Sequence, residues 1–377
     1  MAQEKKTILI LANHGLTIYK FRMELVERLV ADGHDVHVSC PYVDCVDKII
    51  NAGCKHHDIK ISRHGMNPLA DGMIVLKYVA LIRKIRPDII FSYTIKPNIY
   101  GAIACRLCGV PCVANITGLG SAVEKPGIAQ KIAIALYRIA FKKVQRIFFQ
   151  NTENRQFFID RNIYPDKHAL LPGSGVNLDR FSPLPYPSED EGIHLAYISR
   201  VMREKGFDEY IAAAKYFLDI CHSREGGNIP SRKIIFHVCG FCEQGYQSQL
   251  DELLKDDVIV YHGMVDDIRE ILAKVHCTIH PSFYPEGMSN VLLESSACAR
   301  PIITTDRSGC REVIEDGVNG FIVKQRDSSD LIEKIKKFIA LSHVQKMQMG
   351  IAGRAKVEKE FNRQIVVDAY LKEMESI

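Results

Sequence analysis

The 377-residue chain is 47% hydrophobic and 25% charged, with a formal net charge of +4, which suits a soluble protein of about two domains, each able to bury its own core. No apolar run approaches the ~20 residues that a bilayer span needs, and the lead into the Thr7–Ala12 run lacks the apolar length and cleavage site of a secretory leader, so a cytoplasmic location is expected. The positive charge is too small and dispersed for nucleic acid, and no aromatic-basic RNA-binding signature is present, so no nucleic-acid partner is expected.

Short β-branched or aromatic runs alternate with longer amphipathic ones. Strands are expected at Thr7–Asn13, Asp35–Pro41, Asp88–Thr94, Cys112–Thr117, Arg146–Asn151 and Ala169–Leu171, and helices at Lys20–Asp32, Val46–Ala52, Gly72–Arg86, Tyr100–Cys108, Ile128–Lys142 and Glu153–Arg161. Strict β/α alternation predicts a parallel, doubly wound sheet. The proline-rich, acidic stretch Ser182–Gly192 reads as a linker. Alternation then restarts, with strands near His194–Ser199, Lys233–Cys239, Val258–Tyr261, Thr278–His280, Ile302–Thr304 and Phe321–Val323. The organisation expected is one Rossmann-like domain over 1–181, a linker over 182–192, a second such domain over 193–360, and a separate amphipathic helix, Phe361–Glu375. Ligands in such sheets bind beyond the carboxyl ends of the strands, so with two sheets the cleft between them is the natural site. The polar, glycine-rich segment Cys221–Arg232 reads as a surface insertion.

Twelve cysteines are scattered along the chain, mostly in apolar surroundings, as small buried side chains in a reducing compartment would be. Cys105/Cys108 and Cys239/Cys242 have C-x-x-C spacing, so a four-thiolate zinc site can be drawn from them. The two pairs lie in different halves of the chain, and the structural reading is preferred.

The chemistry-bearing residues cluster in the second half. Glu286 and Glu294 bracket Glu286-Gly-Met-Ser-Asn290-Val-Leu-Leu-Glu294, where a strand and turn ending at Ser282 lead into a helix over Ser289–Cys298. The first carboxylate would sit on the loop and the second about one turn into the helix. Amides at Gly287, Met288, Ser289 and Asn290 would be free at the helix N-terminus, which favours a diphosphate. The alternative is an acidic loop followed by an ordinary helix glutamate. Ser199-Arg200-Val-Met-Arg203-Glu-Lys205-Gly206 follows the first strand of the second domain. Arg200 as a planar fork and Lys205 as a point charge can converge on one diphosphate, or simply form a solvated basic loop. Gly263-Met264-Val265 and Cys239-Gly240-Phe241 stand at further strand ends. In the first domain, Asn13-His14-Gly15-Leu16-Thr17 follows the first strand without a dinucleotide fingerprint; His14 is a cleft residue or, preferably, a plain loop histidine. Asn115-Ile-Thr117-Gly118-Leu-Gly120-Ser121 follows a later strand. Basic residues interleaved with isoleucines over Lys125–Arg146 form a helix that packs on the core with a solvated basic side, rests on anionic lipid, or does both.

The Glu286/Glu294 pair resembles the EX7E motif of the retaining glycosyltransferases of family 4, and Arg200/Lys205 resembles that family's R-x4-K diphosphate clamp in the expected position upstream. Thr117-Gly-Leu-Gly120, Phe149–Glu153 and Leu171–Asn177 look like a bacterial subgroup that adds sugars to polyprenyl-diphosphate-linked intermediates. Where many members carry a histidine before the glycine, near the sugar's C6 hydroxyl, this chain has Thr117. The resemblance implies a GT-B fold, α/β with two doubly wound domains facing across a cleft, whose C-terminal helix crosses back to the N-terminal domain. It implies retaining transfer of a hexose or N-acetylhexosamine from a nucleotide-sugar, UDP-linked, to a lipid-linked or polysaccharide acceptor at the inner face of the membrane. Glu286, Arg200 and Lys205 would be catalytic. Gly287, Met288, Ser289, Asn290, Glu294, Val265 and Gly240 would bind donor, and Gly15, Leu16, Thr117 and Gly118 would line the acceptor side. No cofactor is implied, because the nucleotide-sugar is a substrate, and no metal, because no Asp-x-Asp motif is present. The competing readings are a sugar-nucleotide 2-epimerase and a non-catalytic sugar-nucleotide-binding partner within a glycan assembly complex.

Overall fold

The structure is a computed structural model that describes residues 4–61, 68–120, 123, 126–223 and 233–377, leaving aside the side chains of 68–70 and 221–223. Ser121, Lys125 and residues 224–232 of the expected insertion lie outside the described residues. The chain forms two compact units: Met1–Gly175 with Pro285–Met288 and Arg363–Ile377, and Val176–Tyr284 with Ser289–Asn362.

In the first unit the strands are β1 (Thr7–Leu11), β2 (Asp35–Ser39), β3 (Lys55–His57), β4 (Ile89–Tyr93), β5 (Cys112–Ile116), β6 (Arg146–Phe149) and β7 (His168–Leu170). Among the described residues they form one sheet in the order β3-β2-β1-β4-β5-β6-β7, parallel at every step. Ile8, Leu9, Ile10 and Leu11 are all fully buried, because a parallel sheet is covered on both faces and its strands read as continuous apolar runs. The short edge strand β3 carries Lys55, His56 and His57, a polar triplet with no strand signal of its own. The helix expected over Lys20–Asp32 is two, Gly15–Phe21 and Met23–Ala31, parted at Arg22 with φ −139°. Arg22 is buried, its guanidinium carbon 4.8 Å from the Tyr93 ring centroid.

The terminal helix Arg363–Glu375 belongs to this first unit. Its buried Tyr370 packs edge-on against Phe91 and Phe148, ring centroids 4.8 and 5.1 Å away, and its hydroxyl accepts from Asn115 Nδ2 at 2.9 Å. Ion pairs Arg363–Glu24 at 2.6 Å and Arg146–Glu373 at 2.8 Å hold the two ends of the helix.

The second unit holds β8 (Ile193–Ile198), β9 (Ile234–Cys239), β10 (Val260–Tyr261), β11 (Cys277–His280), β12 (Ile302–Thr305) and β13 (Gly320–Val323), parallel in the order β10-β9-β8-β11-β12-β13. The Ser182–Gly192 stretch is not a loose linker but part of this unit. Buried Arg300 donates to Leu184 O and Pro185 O at 3.2 and 2.6 Å, Tyr186 Oη donates to His276 O at 2.9 Å, and Glu189 pairs with the fully buried Lys346 at 3.0 Å. Prolines without N–H groups leave carbonyls to satisfy, and one arginine fork satisfies two of them.

Four histidines form a row across β10, β9, β8 and β11. His262 Nε2 meets His237 Nδ1 at 2.9 Å, His237 Nε2 meets His194 Nδ1 at 2.8 Å, and His276 Nδ1 accepts from the His194 amide at 3.0 Å. Burial lowers the pKa of all four, His237 to about 3 and His276 to about 4. Lys233, Lys274 and Lys346 add to this, while Glu191 and Glu189 oppose it. Because these values lie below the ordinary 6.5, the unfolded chain binds more protons in the interval between. Stability is therefore complete above about pH 6.5 and is lost as the pH falls toward 3–4. Melting temperature should drop steeply over that window, and His237→Gln should flatten the drop relative to the parent chain.

Candidate active site

The chain leaves β8 into Ser199-Arg200 and turns through the 3-10 segment Arg203–Lys205 before the helix Phe207–Ser223. Gly240, at the end of β9, backs directly onto this turn: with φ 139° and a would-be Cβ 1.9 Å from Ser199 O, no other residue fits. Arg200 is exposed and donates to Glu243 at 3.0 Å, a half-exposed ion pair of small net worth. Lys205 is buried. Both cations flank one aromatic ring, with Arg200 Cζ 5.7 Å and Lys205 Nζ 4.9 Å from the Tyr284 centroid. The Phe283 amide donates to Glu204 O at 2.9 Å, which locks the Tyr284 segment to the basic turn.

Burial pushes Lys205 down to about 8, opposed by the nearby Cys310 thiol and reinforced by Arg200. Burial, with a contribution from Lys205, holds His280 at about 3, so this imidazole is neutral. His280 Nε2 lies 3.3 Å from Ser289 Oγ, and the Ser289 amide donates to Gly309 O at 2.8 Å. Ser289 is the N-cap of the helix Asn290–Ala297, and no side-chain hydrogen bond caps it. The second unit thus gathers Arg200, Lys205, Gly240 and Ser289 around the end of β8 and a helix N-terminus. Asn290 opens that helix, with half-buried Glu294 one turn on, and half-buried Val265 follows β10.

The first unit gathers a second set. Asn151, after β6, caps the helix Thr152–Ile159 by accepting from the Asn154 amide at 2.8 Å. Its Nδ2 donates to the carbonyls of Glu286 at 3.1 Å and Gly287 at 2.6 Å. A Cβ on Gly287 would lie 2.4 Å from both Thr117 O and Gln150 Oε1, so the glycine is what lets this loop approach. Thr117 and Gly118, expected on the acceptor side, therefore stand against Glu286–Gly287, with Met288 buried beside them. Gly15 and Leu16 follow β1 as the first turn of the helix Gly15–Phe21, and His14 is its N-cap, accepting from the Leu16 amide at 3.1 Å. Gly15 is buried and Leu16 is 41% exposed.

Residues 7–151 match the family model described as glycosyl transferase 4-like, and residues 192–340 match that of glycosyl transferases group 1. The chain is a glycosyltransferase. Over 96% of both chains it is 27% identical to the N,N'-diacetylbacillosaminyl-diphospho-undecaprenol alpha-1,3-N-acetylgalactosaminyltransferase of Campylobacter jejuni. It is 23% identical, over 84% of this chain and 83% of the relative, to the UDP-Gal:alpha-D-GlcNAc-diphosphoundecaprenol alpha-1,3-galactosyltransferase of Escherichia coli. Among solved structures, Anabaena HepE in complex with UDP and glucose aligns with a TM-score of 0.79 at 17% identity, covering 99% of this chain and all of that one. A Rickettsia africae glycosyltransferase aligns with a TM-score of 0.80 at 18% identity over 98% of each chain. These likenesses place the glycosyltransferase among GT-B folds.

Sequence reasoning passed over three residues of this glycosyltransferase that the geometry brings forward. Tyr284 lies within cation–π distance of both Arg200 and Lys205, and its only linear sign is its place two residues before Glu286. His280 ends a buried strand and reads as core. Asn151 carried a usable signal, an asparagine immediately before a helical pattern, but nothing local says that its other amide atom reaches Glu286.

Proposed function

We propose that this glycosyltransferase moves a hexose or N-acetylhexosamine, with retention, from a UDP-linked donor to a hydroxyl of a lipid-diphosphate-linked glycan in bacterial surface-polysaccharide synthesis. The observation that carries the reading is the buried, cationic Lys205 next to a neutral His280 and a helix N-terminus whose N-cap side chain does not cap it. Such a site favours an anion twice over, through a desolvated charge and through unpaired amides with the helix dipole. The Campylobacter and Escherichia relatives, named for diphospho-undecaprenol acceptors, support the acceptor class. The UDP complex of HepE supports the donor nucleotide.

Arg200, Lys205 and the N-terminus of the helix Asn290–Ala297 stabilise the departing diphosphate, the electrostatic contribution that usually dominates such steps, while the Ser289 amide, expected to be free, is taken up by Gly309 O. Glu294 holds the ribose. Glu286 orients the donor sugar and stabilises its oxocarbenium-like centre. As the C1–O bond to the diphosphate breaks, the acceptor oxygen bonds C1 on the same face, and its proton passes to the leaving phosphate oxygen. These cations supply the charge that a metal supplies elsewhere, so turnover should persist in EDTA.

The membrane-bound acceptor meets the protein at the helix Ile128–Ala140. One face of this helix is buried through Ala133, Tyr137 and Ala140, while Ile128, Ile132 and Ile139 are 78, 44 and 50% exposed among the exposed Lys131, Arg138, Lys142 and Lys143. Isoleucines set in a basic rim suit an anionic lipid surface. No described helix is long and apolar enough to cross a membrane. The test is nucleotide release from a panel of UDP-, GDP- and ADP-sugars, with lipid-diphosphate-sugar acceptor in anionic or neutral vesicles. Acceptor-dependent release from a UDP-sugar, faster on anionic vesicles, is expected; release from no donor in the presence of acceptor would refute the reading.

A further inference from the structure

We propose that Asn151 is a positioning residue for catalysis, fixing the peptide planes of the Glu286–Met288 loop. The inference rests on the role given to Glu286 above and adds a residue to which no role has been assigned. Asn151 is buried, and its carboxamide is used at both ends: Oδ1 caps the helix Thr152–Ile159, while Nδ2 donates to two consecutive carbonyls, Glu286 O and Gly287 O. A trans peptide is planar, and its N–H points opposite to its C=O. Drawing both carbonyls toward Asn151 therefore turns the amides of Gly287 and Met288 away from it. Holding the Glu286 carbonyl also limits where the Glu286 carboxylate can swing. The neighbouring contacts leave the loop little alternative, because Gly287 already meets Thr117 O and Gln150 Oε1 with no room for a Cβ.

The two ends of the carboxamide can be separated. Asn151→Asp keeps an oxygen that caps the helix, since aspartate is as good an N-cap as asparagine. It replaces the two donated hydrogen bonds by repulsion between a carboxylate and two carbonyls. Asn151→Ser keeps a cap without adding charge and guards against misfolding of the Asp variant. A lowered melting temperature is expected for Asn151→Asp, which buries a carboxylate against two carbonyls, and a smaller loss for Asn151→Ser, so kinetics are compared well below both transitions. kcat with a UDP-sugar should fall about 100-fold for Asn151→Asp, the effect expected when a catalytic group is displaced by about 1 Å, and less for Asn151→Ser. A residue that acts through Glu286 should add little further loss when Asn151→Asp is combined with Glu286→Ala.

Parent-level turnover in both Asn151 variants, with Glu286→Ala inactive, would overturn this proposal alone. Multiplying losses in the double variant would overturn it too, because Asn151 would then act elsewhere. Parent-level turnover in Glu286→Ala would overturn the reading of Glu286 and this inference together.

Discussion

Glu286→Ala should lower turnover by at least about 1,000-fold while changing stability by no more than about 1 kcal/mol. Glu286 is half-buried as a residue, and the backbone carbonyls of its loop are held by Asn151. Alanine keeps those two backbone hydrogen bonds and removes the carboxylate that the proposed mechanism sets against the sugar. Glu286→Gln should fall between alanine and the parent, because it keeps hydrogen-bonding reach and loses the charge that stabilises the oxocarbenium-like centre. Glu294→Ala should instead act mainly on donor KM, the pattern of a binding contact equal in ground and transition states. Steady-state kinetics paired with thermal melts separates the three. Glu286→Ala at parent rates would leave the site without its central carboxylate.

Lys205→Met should give the opposite pairing, a nearly inactive enzyme that is more stable than its parent. The ammonium is buried, and burial holds it at about 8, well under its ordinary 10.5. A depressed lysine pKa means that the unfolded chain binds more protons between those two values, so keeping the charge inside costs stability at neutral pH. Methionine has similar length and no charge to desolvate, so the substitution should raise stability by on the order of 2 kcal/mol. Activity should fall by two to three orders of magnitude, about 3–4 kcal/mol of lost transition-state stabilisation. The same pKa sets a pH limb. In the free enzyme Lys205 is protonated below about 8 and neutral above it, so kcat/KM for the donor should decline as pH rises through about 8. That decline should vanish in Lys205→Met and shift upward in Lys205→Arg.

Much of the fold was legible because the strands that build it are local events. Ile8–Leu11, Ile89–Tyr93 and Cys112–Ile116 are buried along their whole length, and such runs announce a covered parallel sheet without any tertiary knowledge. The edge strand β3 was missed because Lys55-His-His is polar, and only its pairing with β2 makes it a strand. The break at Arg22 was missed because helical periodicity runs through it, and the buried guanidinium beside Tyr93 lies far along the chain. Composition made Ser182–Gly192 look like a linker, since proline and acid are scored as solvent-loving until Arg300 and Lys346 are seen beneath them.

The candidate site divides in the same way. Arg200, Lys205 and the helix that begins at Asn290 follow strand ends, where chemistry is expected in such sheets, so motif and position agree. Asn151 and Glu286 are 135 residues apart. No window of sequence connects them, and only the folded chain does.

The most direct test of the account is the anomeric configuration and mass of the product formed from the active nucleotide-sugar and a polyprenyl-diphosphate-linked acceptor, with EDTA present. The account predicts a product heavier by one sugar, joined with the donor's own anomeric configuration, and formed only when acceptor is supplied. An inverted linkage would contradict retention, and interconversion of the donor sugar without acceptor would replace glycosyl transfer with epimerisation.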